Sequence, residues 1–316
     1  MAVYTKLLKE DIENFITDYS IGNLGNFEEI VDGIENSNFK IFCDNQPYIL
    51  TIFEKRVSEK DLPFFISLQN FLNKNNFRCP KAISDKNGKI LKKIKNKTAI
   101  IISFLEGKSI EKPNIEMAKE IGKMIATLHN LTSKFKERRA NSLDLKDWKD
   151  IFKKCFNNKL DEFEETMHVL NNEIDYLENN WPNNLPCGVI HADLFRDNIF
   201  FKKNKISGVI DFYFSCYYFY LYDIAIVIND WCFSKNGKNF HKENCLAILE
   251  EYQKLRKLSD LEKKSLNILL RAAAVRILST RIHDYIFHSP NAVVVKKDPF
   301  EYLNILKWHQ QNDIFE

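Results

Sequence analysis

The chain has 316 residues, 45% of them hydrophobic and 28% charged, enough for two lobes of a globular protein rather than one minimal domain. Its 46 basic and 43 acidic residues leave a net charge of only +3. With Lys and Glu mixed along the whole length there is no basic stripe of the kind that grips nucleic acid, which excludes that class of partner.

The first hundred residues read as mostly strand. A short helix at residues 9–18 precedes a strand at 27–31, and a turn at 32–37 leads into a strand at 39–43. Asn45-Gln46-Pro47 then turns the chain into a strand at 48–53, a β-hairpin. Ser58 and Asp61 are candidate caps for a helix whose Leu62, Phe65, Leu68, Phe71 and Leu72 fall at helical spacing. Strand character resumes at residues 81–84, 89–91 and 98–104, with Asn87-Gly88 as a turn, and Glu106-Gly107-Lys108 ends the lobe. Beyond Asn114 the pattern turns helical. Met117, Ile121, Met124, Ile125 and Leu128 make one apolar face, and helices follow at residues 145–156 and 161–179. Residues 188–214 interrupt with strand, loop and strand before helices return from about 217. This order predicts an α+β fold with a β-rich lobe at residues 1–105 and a mostly helical lobe at 106–316, the bilobal layout of a kinase-like protein.

Seven scattered cysteines without a C-x-x-C pair suggest reduced thiols rather than zinc or redox chemistry. Residues 1–6 lack the apolar run of a signal peptide, and the most apolar helical stretch, residues 221–228, is short and broken by Asp223. A cytoplasmic protein without a membrane span is expected, as a monomer or a dimer.

The segment from Val189 to Phe201 carries the chemistry. His191, Asp193, Asp197 and Asn198 lie between two apolar runs, an H-x-D-x-x-x-x-N pattern, and the next strand delivers Asp211 eighteen positions after Asp193. Phosphoryl transfer depends on positioning and charge neutralisation, and these residues supply the parts. Asp193 suits the carboxylate that orients the attacking hydroxyl and takes its proton. Asp211 suits a ligand for Mg²⁺ on the ATP phosphates, and Asn198 offers it a neutral oxygen without further repulsion. His191 fits a brace for the loop. Turn carboxylates between two strands are the plain alternative, and the full pattern followed by Ile210-Asp211-Phe212 is more specific than that.

His191-Ala192-Asp193-Leu194-Phe195-Arg196-Asp197-Asn198 and Val209-Ile210-Asp211-Phe212 resemble the catalytic and metal motifs of the aminoglycoside phosphotransferase and choline kinase superfamily, whose fold is protein-kinase-like. The resemblance is closer to the homoserine kinase family. It extends through Met1-Ala2-Val3-Tyr4-Thr5, Gly33-Ile34-Glu35-Asn36-Ser37-Asn38-Phe39, the stretches 48–57 and 61–65, Tyr222-Asp223-Ile224-Ala225-Ile226 and Trp231-Cys232-Phe233. It implies ATP-dependent phosphorylation of the L-homoserine hydroxyl in threonine biosynthesis. Asp193 is then the base, Asn198 and Asp211 the metal ligands, and residues 33–38, with Gly33, Asn36, Ser37 and Asn38, the phosphate loop. That loop has no G-x-G-x-x-G, though an Asn-rich tight turn can present backbone N–H groups to phosphate. Thr51 stands where related kinases place a phosphate-binding lysine. Lys55 shares its strand face and could supply the charge, or Lys55-Arg56 is a solvated strand end.

Homoserine is a zwitterion, so its pocket needs a cation and an anion. Arg271, Arg276 and Arg281 lie in one apolar helical stretch, where Arg suits bidentate carboxylate binding. At about 100° per residue the three cannot all face one pocket. Asp223 and Asp230 share a helix face and either could take the ammonium, or pair structurally; Asn229 and Trp231 are candidate walls. His129 reads as packing. Other hydroxyl kinases, acting on choline or an aminoglycoside, are the alternative, with Tyr217, Tyr218, Tyr220 and Trp231 as a possible choline cage. A non-catalytic nucleotide-binding scaffold is the remaining rival, favoured only by Thr51.

Overall fold

The structure, a computed structural model, describes residues 5–30, 36–54, 57–158, 160–287 and 297–315. Contacts along the chain define two compact units. The described residues of Met1–Glu106 and Gly208–Tyr213 form the first, and those of Gly107–Ser207, Phe214–His288 and Lys296–Glu316 the second. Strands in the first and helices in the second give the expected α+β class.

The first unit opens with α1 (Lys9–Ile16), followed by β1 (Leu24–Ile30), β2 (Asn36–Cys43), β3 (Gln46–Phe53), α2 (Leu62–Lys74), β4 (Ala82–Ile83), β5 (Lys92–Ile94) and β6 (Lys97–Ser103). The strands form one antiparallel sheet in the order β1-β2-β3-β6-β4, and β5 also pairs with β6. The β2–β3 turn falls on Asp44-Asn45, one step earlier than the Asn45-Gln46-Pro47 expected, with φ of 46° and 65°. Two positive φ angles match the twist of a two-residue hairpin, and Asn and Asp tolerate them well. Lys95 and Asn96 close the β5–β6 hairpin with the same signs. No strand forms at residues 89–91. The Asp85 carboxylate instead accepts from the backbone of Asn87 and Lys89, folding that stretch into a closed turn. The period-2 pattern of β2 sends Phe39, Ile41 and Cys43 into a core shared with Ile12, Phe15 and Ile16 of α1. Phe53 and Phe65 of α2 meet Tyr213 edge to face, their ring centres 5.1 and 5.6 Å from that of Tyr213.

The second unit contains α3 (Ile115–Thr132), α4 (Leu145–Asn157), α5 (Glu164–Asn180), β7 (Cys187–Ile190), β8 (Ile199–Lys202), the start of β9 (Lys205–Val209), β10 (Cys216–Phe219), α6 (Tyr220–Trp231), α7 (Lys242–Leu255), α8 (Asp260–Ile286) and α9 (Pro299–Gln311). β7 pairs with β10, and β8 forms a hairpin with β9, which carries the chain back into the first unit. Every residue of α6 is buried. Such a helix is the centre of a core, and among the described residues no helix is long and apolar enough to cross a membrane. α3 and α7 approach closely enough that a Cβ on Gly122 would stand 2.2 Å from the Ile248 carbonyl oxygen. α8 begins with a reciprocal cap: Ser259 Oγ accepts from the Glu262 amide at 3.2 Å, and Glu262 Oε2 from the Ser259 amide at 2.9 Å. All seven cysteines are free thiols.

Candidate active site

β7 ends at Ile190, and residues 191–198 form a loop that closes in a 3₁₀ turn over Arg196–Asn198 before β8 begins. Ala192 holds φ at 62°, the left-handed region that costs a residue with a Cβ roughly 1–2 kcal/mol. Buried charges on both sides maintain it. The Asp223 carboxylate, fully buried on the first turn of α6, accepts from the amides of His191 at 2.9 Å and Ala192 at 2.7 Å. From the other side Arg276 of α8 donates to the Ala192 carbonyl at 2.5 Å. His191 is buried, and its Nδ1 accepts from the Asp193 amide at 3.2 Å, a bond across the bend.

This bend presents the Asp193 side chain, 14% exposed, with both oxygens restrained. Asn198 Nδ2 donates to Asp193 Oδ2 at 2.9 Å and to the Asp193 carbonyl at 2.8 Å, and Arg276 donates to Oδ1 at 3.3 Å. The amide hydrogens of Asn198 being committed to Asp193, its carbonyl oxygen is the end that can serve as a metal ligand. Farther round the loop, Asp230 Oδ2 accepts from the Arg196 amide at 2.7 Å and from its Nε at 3.2 Å, while Trp231 donates its indole N–H to the Leu194 carbonyl. Lys297 pairs with Asp197 at 2.9 Å.

A second layer stands behind Asp223. His129 Nε2 lies 3.2 Å from Asp223 Oδ2, and its Nδ1 2.8 Å from the Tyr252 hydroxyl. A carboxylate only accepts, so Nε2 carries the proton and Nδ1 accepts from Tyr252. Complete burial lowers the His129 pKa, against the opposing pull of Asp223, and holds the ring neutral. Arg256 continues the chain, donating to Tyr252 at 3.1 Å and Glu262 at 2.8 Å. His129, read from sequence as packing, therefore belongs to the support of the loop at residues 191–198. Tyr252, Arg256 and Glu262 escaped the sequence reading altogether. The available signal was a charged Asp223 inside an apolar helix, which must find partners.

The remaining candidates separate. Arg271 grips Glu173 with two bonds of 2.6 and 2.8 Å beneath the Tyr176 ring, and Arg281 binds Glu301 and the Asp298 carbonyl. Asp223 and Asp230, candidates for the substrate ammonium, are both turned onto the loop backbone. Asn229, a candidate wall, is buried and joins the Leu270 carbonyl to His309. The aromatic cage is not assembled: Tyr220 packs on His129, Tyr218 on Tyr222, and Arg138 sits over Tyr217.

In the first unit Thr51 Oγ1 donates to Asn38 Oδ1 at 2.7 Å, its residue paired with Asn38 across β2 and β3. Asn36 pairs with Phe53 at the start of β2. Ser37 Oγ donates to Glu54 Oε1 at 2.6 Å and accepts from the Thr5 amide. Glu54 also meets Lys97 of β6, a lysine–glutamate pair that sequence reading did not find. Burial works to raise the Glu54 pKa, and the bonds from Lys97, Ser37 and Thr5 outweigh it, leaving the carboxyl below its usual range. Gly33 and Lys55 lie outside the described residues. Asp211, at the exit of β9, adopts φ of 63°.

Residues 26–258 match the phosphotransferase enzyme family, abbreviated APH. The homoserine kinase of Agrobacterium fabrum is 42% identical over 311 residues, covering 98% of this chain and 96% of its own; that of Bartonella henselae is 42% identical over 310 residues, covering 98% and 95%. The chain belongs to the homoserine kinase family of these phosphotransferases. Solved structures agree on the fold. An amicoumacin kinase, in complex with AMP-PNP and Ca²⁺, superposes with a TM-score of 0.74 at 14% identity, covering 97% of this chain and 94% of its own. A spectinomycin phosphotransferase, in complex with ADP, gives 0.73 at 13% identity, with 97% and 99% covered. The fold is thus that of the kinase-like phosphotransferases.

Proposed function

We propose that the protein transfers the γ-phosphoryl group of ATP to the hydroxyl of L-homoserine, giving O-phospho-L-homoserine for threonine biosynthesis. The observation that carries this reading is Asp193, held at both oxygens on a braced loop, in a chain whose full-length relatives are homoserine kinases.

Asp193 accepts a hydrogen bond from the acceptor hydroxyl, aligns it with the phosphorus and takes its proton as the new P–O bond forms. Asn198 holds that carboxylate in place and, with Asp211, is the ligand set for Mg²⁺, an ion that takes oxygen ligands and leaves room for phosphate. When bound, Mg²⁺ neutralises the charge that spreads over the phosphate oxygens. Residues 1–105 supply the nucleotide contacts, from Gly33, Asn36, Ser37, Asn38 and the strand bearing Thr51 and Lys55. Residues 106–316 supply the catalytic loop and the acceptor site. The Ser37 and Thr51 hydroxyls are turned to Glu54 and Asn38, and Asn36, Ser37 and Asn38 pair with β3 as part of β2 rather than forming the tight turn expected.

An ADP-release assay with Mg-ATP across homoserine, choline, ethanolamine and kanamycin tests the assignment. Turnover on homoserine is expected, and Asp193→Asn should abolish it while ATP still binds. Turnover on choline without homoserine would overturn the substrate, and no turnover on any of the four would favour a nucleotide-binding scaffold.

A further inference from the structure

We infer that Arg276 is a positioning residue for phosphoryl transfer, acting through the Asp193 carboxylate and the Ala192 peptide rather than by touching the substrate. The inference rests on the reading of Asp193 as the group that receives the acceptor hydroxyl.

Arg276 sits in the middle of α8 with 3% of its surface exposed, so its guanidinium is not presented to solvent. One end donates to the Ala192 carbonyl at 2.5 Å, the other to Asp193 Oδ1 at 3.3 Å, and the Phe214 ring lies 5.5 Å from its centre. A planar fork is suited to tie a carbonyl and a neighbouring carboxylate in one rigid unit; a lysine offers only a point charge. Burial opposes the charge on Arg276, but Tyr222, Asp193 and Cys216 favour it, and its pKa lies above the ordinary value.

The peptide between these charges is the strained one. Ala192 is held left-handed by Asp223 at its N–H and by Arg276 at its C=O, two opposite buried charges on one residue. The same arginine then stops the next side chain from rotating: with Oδ1 tied by Arg276 and Oδ2 by Asn198, the plane of the Asp193 carboxylate is set before substrate arrives. Preset orientation of this kind acts on the rate of the chemical step and leaves substrate affinity alone. α8 restrains the loop by a second route, since Glu262 in its first turn ends the chain from Asp223 through His129, Tyr252 and Arg256.

The test is a split of kcat against KM. In Arg276→Gln, kcat should fall by about 10- to 100-fold while KM for ATP and for homoserine stay within about twofold. Arg276→Lys, which keeps the buried charge but not the fork, should fall between. A rise in homoserine KM of about tenfold or more with kcat retained would overturn the inference, making Arg276 a substrate ligand; unchanged kinetics would overturn it as well. If Arg276→Gln does not fold, Arg276→Lys carries the test under the same outcomes. Asp193→Asn, measured alongside, separates the two levels. Wild-type turnover in Asp193→Asn removes the reading beneath the inference. An inactive Asp193→Asn beside an unaffected Arg276→Gln removes the inference alone.

Discussion

Replacing Asp223 by Asn should separate the carboxylate's charge from its shape. Its Oδ2 accepts from the His191 amide at 2.9 Å and faces His129 Nε2 at 3.2 Å; Oδ1 accepts from the Ala192 amide at 2.7 Å. An Asn has one accepting end. With its oxygen at the Oδ2 position it keeps two bonds, and its NH₂ then confronts the Ala192 N–H, donor against donor. One hydrogen bond to a charged acceptor is lost, about 1.5–3 kcal/mol, and a buried N–H is left unsatisfied, about 1–3 kcal/mol. A loss of roughly 3–5 kcal/mol of stability follows, a large share of the 5–15 kcal/mol that ordinarily separates folded from unfolded protein. At about 2–4 °C per kcal/mol the thermal midpoint should drop by about 10 °C. Turnover should fall as well, because Ala192 loses the anchor that keeps it left-handed. Calorimetry or urea titration beside steady-state kinetics provides both readings. A variant with unchanged stability would show that the carboxylate does not hold the loop, and the account of its geometry would fail.

Glu173→Gln should cost about 3–5 kcal/mol by stranding the Arg271 guanidinium, while Glu173→Leu with Arg271→Met costs much less; urea titration of the single and double variants checks this, and homoserine KM should not change in any of them. His309 Nε2 bonds Asn229 Oδ1 at 2.8 Å in a buried site that pushes its pKa down to about 3, chiefly by desolvation. A depressed histidine pKa contributes stability that is present above the unfolded value near 6.5 and is lost as pH falls towards about 3, by up to ~1.4 kcal/mol per pH unit. His309→Gln keeps the donor to Asn229 and should flatten the fall in unfolding free energy between pH 6.5 and 5; an identical slope in the variant would refute it. Glu54, whose pKa is lowered, contributes stability above about pH 4.5 that is lost as pH falls through its folded value, so Glu54→Gln should destabilise at pH 7 and lose that deficit in acid.

The division between what the sequence reveals and what it hides follows distance along the chain. His191, Asp193 and Asn198 were legible because the bonds among them span two to five residues, and a local pattern records local geometry. The β2–β3 hairpin and the apolar face of α3 were legible for the same reason, although the closed turn at Asp85 displaced one strand and the β5–β6 hairpin was missed. What holds the loop comes from far away: Asp223 is 31 and 32 positions from the amides it binds, Arg276 is 83 and 84 from its partners, and His129 is 94 from Asp223. A single sequence carries no trace of which residues meet at such separations. Composition narrows the choice, since a charge inside an apolar helix must be paired, but it does not name the partner.

The three arginines of α8 show how far that rule reaches. Read as candidates for a substrate carboxylate, they stand about 140° and 80° apart around the helix and cannot converge. In the structure each is matched to a different acceptor: Glu173 for Arg271, the Ala192 carbonyl and Asp193 for Arg276, Glu301 and the Asp298 carbonyl for Arg281. Pairing of this kind is what desolvation demands of a buried cation whether or not a substrate is near. An arginine in an apolar helix therefore predicts a partner first and a ligand only second. Of the three, the one that bonds the loop at residues 191–198 is Arg276, and it does so through the Ala192 carbonyl and Asp193. The loop is a strained peptide between two buried opposite charges, and removing either charge should release the strain and the alignment of Asp193 together.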